Sequence, residues 1–141
     1  MRRIRTFTLT SGALALAGVA ATCVALAPSA SAAAQACQVT TITTGGWEQV
    51  GTIATKASSG CQDLNLTHSF NRNSRDHDYY AGRYKKSNGT WVTGSKGYVQ
   101  AWDGYHDIND STYALVTGLS AGTQFTVASY LDGADTVQIT H

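Results

Sequence analysis

Gln62-Asp63-Leu64-Asn65-Leu66-Thr67-His68-Ser69-Phe70 is the stretch that decides the fold class. Apolar and polar residues alternate in it, with Leu64, Leu66 and Phe70 on one face and Asp63, Asn65 and Thr67 on the other. That is the period of a strand with one face in a core. Downstream, Tyr79 to Tyr84 and Thr90 to Val92 flank Lys85-Lys86-Ser87-Asn88-Gly89, whose Asn-Gly pair tolerates the positive φ of a tight hairpin turn. Further strands are expected at Trp47 to Ile53, with Trp47 inward across a kink at Gly51, and at Tyr98 to Trp102, Tyr113 to Val116 and Gln124 to Leu131. A last one, Thr136 to Thr140, follows a turn at Asp132-Gly133. No convincing helical spacing occurs from Ala33 onward. The pattern predicts an all-β fold, a small antiparallel β-sandwich or barrel of about seven strands.

Upstream, the chain reads as an export signal. Arg2, Arg3 and Arg5 precede the apolar run Gly12 to Ala27; Pro28 breaks it, and Ser29-Ala30-Ser31-Ala32 supplies small residues for cleavage after Ala32, or after Ala36 as second choice. The run is short of the roughly 20 residues that a membrane-spanning helix needs. The expected division is therefore a signal peptide over 1–32, an arm or edge strand over 33–46 and a β-sandwich domain over 47–141. Without residues 1–32 the chain keeps seven Lys and Arg against nine Asp and Glu, a net charge of −2. Cys37 and Cys61 are then an even pair in an oxidising compartment, where a disulfide is expected. Its loop of about 25 residues would contribute roughly 3 kcal/mol.

Catalytic signatures are scarce. The sequence contains no G-x-S-x-G, no H-E-x-x-H and no phosphate-binding glycine loop, and the bridge consumes both cysteines of 33–141. Asp76-His77-Asp78, beside Arg72 and Arg75, is the best acid–base candidate, but neighbours on a strand point to opposite faces and cannot converge. No catalytic residue and no cofactor are expected. For a metal, Asp103, Asp107, Asn109 and Asp110 gather the oxygen ligands that calcium favours, although their order departs from the calcium-loop template. The negative charge disfavours nucleic acid.

Aromatic residues are abundant. Tyr79 and Tyr80, being consecutive, face opposite ways, so one of them is expected near solvent. Trp91, Tyr98, Trp102, Tyr105 and Tyr79 form the candidate binding surface, since exposed Tyr and Trp suit either a protein hot spot or sugar stacking.

The Ala-rich signal, Cys61-Gln62-Asp63-Leu64-Asn65, the segment Tyr84 through Gly89-Thr90-Trp91-Val92, and Leu115-Val116 followed by Gly122-Thr123-Gln124-Phe125 resemble the small secreted β-domain proteins of actinobacteria such as Streptomyces. Among these, the chain is similar in size and layout to the adaptor subunit of umbrella toxin particles. That resemblance implies a non-enzymatic link between a lectin-bearing protein and a large repeat-containing toxin, made partly through an N-terminal extension. The expectation is a secreted binding or adaptor domain with secreted protein partners. The alternative is a glycan-binding module, or a secreted hydrolase inhibitor, with Trp91, Trp102 and Tyr105 as contacts.

Overall fold

The computed structural model describes residues 37–57 and 60–141. The expected signal peptide over 1–32 and the start of the arm, 33–36, lie outside the described residues. The described strands are β1 (Val39–Thr43), β2 (Ala54–Thr55), β3 (Leu64–Phe70), β4 (His77–Lys85), β5 (Trp91–Thr93), β6 (Val99–Trp102), β7 (Gly104–Tyr105), β8 (Ala114–Val116), β9 (Gln124–Ser129) and β10 (Thr136–Thr140). A 3-10 turn, Ser111–Tyr113, leads into β8.

These strands form two antiparallel sheets, and the fold is sandwich-like rather than a closed barrel. One sheet runs β1-β10-β3, with β8 and β7 pairing to successive halves of β3. The other runs β2-β9-β4, with β6 and β5 pairing to successive halves of β4. Ile42, Leu64, Leu66, Val137 and Ile139 meet Tyr80, Ala101, Phe125 and Val127, and Leu115 and Val116 close the core. Cys37 and Cys61 are bonded, with a Cα–Cα distance of 5.6 Å, tying the entry of β1 to that of β3.

Two expectations are corrected, and a third, the β4–β5 hairpin, forms as expected with its turn defined more closely. In β3, Leu64 and Leu66 are buried, but Phe70 is 57% exposed and Ser69 takes the inward place. The register shows why: Ile139 pairs with Leu66 and Gln138 with His68, so Thr67 is an extra residue that reverses the alternation. In the β4–β5 hairpin the turn is closed by the Gly89 N–H on the Lys86 carbonyl at 2.9 Å. Only Gly89 takes a positive φ, 86°, while Asn88 uses its Oδ1 to accept the Thr90 N–H at 3.1 Å.

The second correction shapes the surface. Trp47 to Ile53 is not a strand, and Trp47 is 61% exposed. Gly45 first extends the edge of the second sheet, donating to the Val127 carbonyl and accepting from the Ser129 N–H. The chain then turns at Glu48, whose φ is 55°, and returns so that Gly51 N–H donates to Thr126 Oγ1 at 3.1 Å. Ala81, Arg83, Thr126 and Ala128 alternate away from the core, yet all are buried on the face this loop crosses.

Candidate binding surface

The loop and the outer face of the second sheet assemble a cluster of rings. Tyr130, just past β9, is its hub: Trp47, Tyr79 and Tyr98 each present to it at centroid distances of 6.4, 6.2 and 5.5 Å. A hydrogen bond from the Glu48 N–H to the Tyr98 hydroxyl, 2.8 Å, fixes the loop against the residue that leads into β6. Burial of the Tyr98 phenol raises its pKa, so the hydroxyl stays protonated. Tyr79, Tyr98, Tyr130 and Leu131 line an apolar pocket. The chain of rings continues from Tyr79 to His77 at 6.2 Å and on to Trp102 at 4.8 Å. Trp102 and Tyr130 are both 54% exposed.

The structure therefore unites three of the five aromatic residues expected at a surface, Tyr79, Tyr98 and Trp102. Trp91, on β5, joins no ring pair of this cluster. Tyr105 is the most exposed aromatic residue, but it lies on β7 of the other sheet, edge-on to His68 at 4.6 Å. Trp47, Tyr130, Leu131 and His77 were missed. Read as a strand, the glycine-flanked stretch turns Trp47 inward, whereas the loop it forms leaves the ring exposed. Tyr130 carries one usable signal, its place two residues before the Asp132-Gly133 turn.

The acid–base triplet behaves as strand geometry requires. Asp76 Oδ1 accepts from His77 Nδ1 at 2.8 Å, and that bond holds the Asp76 carboxyl below its ordinary pKa. Asp78 lies on the opposite, buried face. No hydrogen bond joins the His77 ring to a serine, threonine or cysteine among the described residues.

The calcium candidates do not converge. Asp103 Oδ1 accepts the Asn71 N–H at 2.8 Å, Asp107 Oδ1 that of Asn109 at 2.8 Å, and Asp110 Oδ1 caps the 3-10 turn through the Thr112 N–H at 2.8 Å. Each carboxylate closes its own turn. The cluster that does form, among the described residues, is Asp78, Asp132 and Asp135.

Comparison with protein-family models, with curated proteins and with solved structures finds no match for this chain. The surface has to be read from its own chemistry. No helix among the described residues is long and apolar enough to cross a membrane.

Proposed function

We propose that this chain is exported and that its β-domain is a non-enzymatic binding module, an adaptor that grips a secreted protein partner through Trp47, Tyr79, Tyr98, Tyr130 and Trp102. One observation carries the reading. Trp47, Tyr130 and Trp102 stand exposed on one sheet face, half-buried Tyr79 and Tyr98 pack against Tyr130, and the core between the sheets is filled without them. Aromatic rings that present area at little entropic cost are the usual anchors of a protein interface.

The ring geometry favours protein over sugar. Trp47, Tyr79 and Tyr98 meet Tyr130 at interplanar angles of 69°, 68° and 75°. The cluster is ridged, and a flat sugar face stacks better on coplanar rings. The resemblance to the umbrella-particle adaptor supports the same class of role, an assembly part of a secreted toxin complex. β1 is consistent with a second contact: among the described residues it pairs with no strand but β10, and although Thr52 bonds Thr43 on the outer rim, Val39 to Thr41 are left for a strand supplied by a partner.

The test is affinity purification of the tagged protein from the producing organism's culture medium, beside Trp47→Ala and Tyr130→Ala. A stoichiometric secreted protein held by the wild type and released by both variants supports the reading. Equal capture by all three proteins sinks the ring cluster as the docking face. A saturable tryptophan-fluorescence response to a cell-wall polysaccharide, without protein capture, would replace it with glycan binding.

A further inference from the structure

The first residues of β4 and the turn between β9 and β10 bring three carboxylates together. Asp78, Asp132 and Asp135 each offer an oxygen, and these oxygens lie within 4.8 Å of one another. Asp78 and Asp135 are fully buried, and Asp132 opens to solvent. The turn that aims them is costly. Gly133 and Ala134 take successive positive φ values of 76° and 61°, and a Cβ on Gly133 would sit 2.7 Å from the Gly46 nitrogen.

The oxygens can be accounted for one at a time. Asp78 Oδ1 accepts the N–H groups of Tyr79 at 2.5 Å and Leu131 at 3.2 Å. Asp135 Oδ1 accepts the Arg72 N–H at 2.8 Å, and its Oδ2 accepts the Tyr80 hydroxyl at 3.2 Å. Asp132 Oδ2 accepts from the Asn73 side-chain amide. Asp78 Oδ2 is left buried with no hydrogen-bond partner. None of the three carboxylates pairs with a lysine or arginine among the described residues. Buried carboxylates without a counter-charge are among the most expensive groups a small domain can hold. Burial and the neighbouring Asp78 accordingly push the Asp135 carboxyl above its ordinary range.

We infer that Asp78, Asp132 and Asp135 form a binding site for a hard divalent cation, calcium in class. The donor set is all oxygen, with no histidine or cysteine in it, which selects calcium over zinc or copper. Oxygens up to 4.8 Å apart fit one ion with Ca–O distances of about 2.4 Å, with water and turn carbonyls filling the remaining places. A proton shared between the adjoining Asp78 and Asp135 carboxyls could relieve only that pair, whereas a cation reaches the solvent-open Asp132 as well. The inference is independent of the docking reading. The two sites nonetheless share a segment: Asp78 holds the Leu131 N–H, and the Tyr79 carbonyl holds that of Tyr130.

Terbium, which takes calcium's place on oxygen ligands, gives the direct test, because the Tyr80 phenol bonded to Asp135 can sensitise its emission. The full protein, stripped with chelator, is titrated with Tb3+ under tyrosine excitation and then with Ca2+, and its melting temperature is read with and without Ca2+. The expected result is saturable emission at one ion per chain, displaced by Ca2+, with a higher melting temperature in millimolar Ca2+. Asp132→Asn, at an exposed position that leaves the fold intact, should weaken Tb3+ binding at least about tenfold. Asp107→Asn, in the other acidic loop, should leave it unchanged. Absence of Tb3+ emission, loss of binding in Asp107→Asn instead, or no response of the melting temperature to Ca2+ would overturn the site.

Discussion

Tyr130 and Arg83 show how differently two side chains on one sheet face are used. Tyr130 is touched by three other rings but packs into no core, so its removal should cost binding far more than folding. For Tyr130→Ala we expect partner affinity to fall about 30-fold or more, the scale of an interface hot spot, with a melting temperature close to wild type. Interferometry against the purified partner, beside a thermal melt, checks both halves. Arg83 is the opposite case. It is buried on the face crossed by the 45–53 loop, and its Nε and Nη1 find no hydrogen-bond partner. Unsatisfied buried donors cost about 1–3 kcal/mol each, less whatever relaxation recovers. Arg83→Met keeps the stem's volume and removes the donors, so it should stabilise the domain by about 1 kcal/mol and raise the melting temperature by a few degrees. A lower melting temperature would mean that the guanidinium has acceptors and contributes to the fold.

At the level of elements, the 45–53 loop is the piece that turns a sandwich into a surface, and glycines make it possible. A Cβ on Gly51 would lie 2.2 Å from the Thr43 carbonyl oxygen and 2.4 Å from the Gly45 nitrogen. Backbone cannot yield as a side chain tip does, so Gly51→Ala should lift the loop off β9 at a cost of about 1–3 kcal/mol. Hydrogen exchange should then show protection lost at Gly51 and Thr52 while β3, β4 and β10 keep theirs; uniform protection would show that the loop adapts. The same loop marks the limit of what could be read from sequence. Strands with a regular period were legible: β4, β6 and β10 lie where alternation and turn residues put them, and Thr136–Thr140 matches to the residue. What failed was phase and context. One extra residue at Thr67 moved Phe70 outward, and nothing local to β3 announces a bulge that exists only in its pairing with β10. Gly45-Gly46 and Gly51 could be seen as kinks, but which sheet the kinked chain would cross depended on contacts with residues about 75 and more positions away. Tyr79, Tyr98 and Trp102 were within reach because an excess of aromatic residues on short strands calls for some of them outside, although alternation alone does not decide between Tyr79 and Tyr80. The Asp78, Asp132 and Asp135 cluster was not, because its members meet only through the pairing of β4 with β9.

Across the whole molecule, stability is pinned at the corner where the first and last strands meet. The Cys37–Cys61 bridge closes a separation of 24 residues there, and losing it through Cys37→Ser with Cys61→Ser should cost roughly 3 kcal/mol. His141 is the second pin, and it couples the two sheets. Its ring bonds Thr40 Oγ1 on β1 through Nε2 at 2.8 Å and stands edge-on to Phe125 of β9 at 4.8 Å. Its Nδ1 accepts the Ala57 N–H at 3.1 Å, so Nδ1 carries no proton and Nε2 is the donor toward Thr40. Protonation would place a hydrogen on Nδ1 against another hydrogen. Burial, with Lys56 nearby, accordingly lowers the His141 pKa, and burial lowers that of His106 as well. A depressed histidine favours the folded state fully above its unfolded pKa, near 6.5, and the advantage is lost as pH falls below that value toward the folded one. Asp135, displaced upward, works in the opposite sense as pH rises, so a single melting curve mixes the contributions. The difference between wild type and His141→Gln isolates one of them. Glutamine has no titration in this range, so the variant should be less stable than wild type at pH 7.5 and the gap should narrow at pH 5. Calorimetric melts at the two pH values read that narrowing directly, and an equal gap at both would show that His141 holds the sheets together without sensing protons.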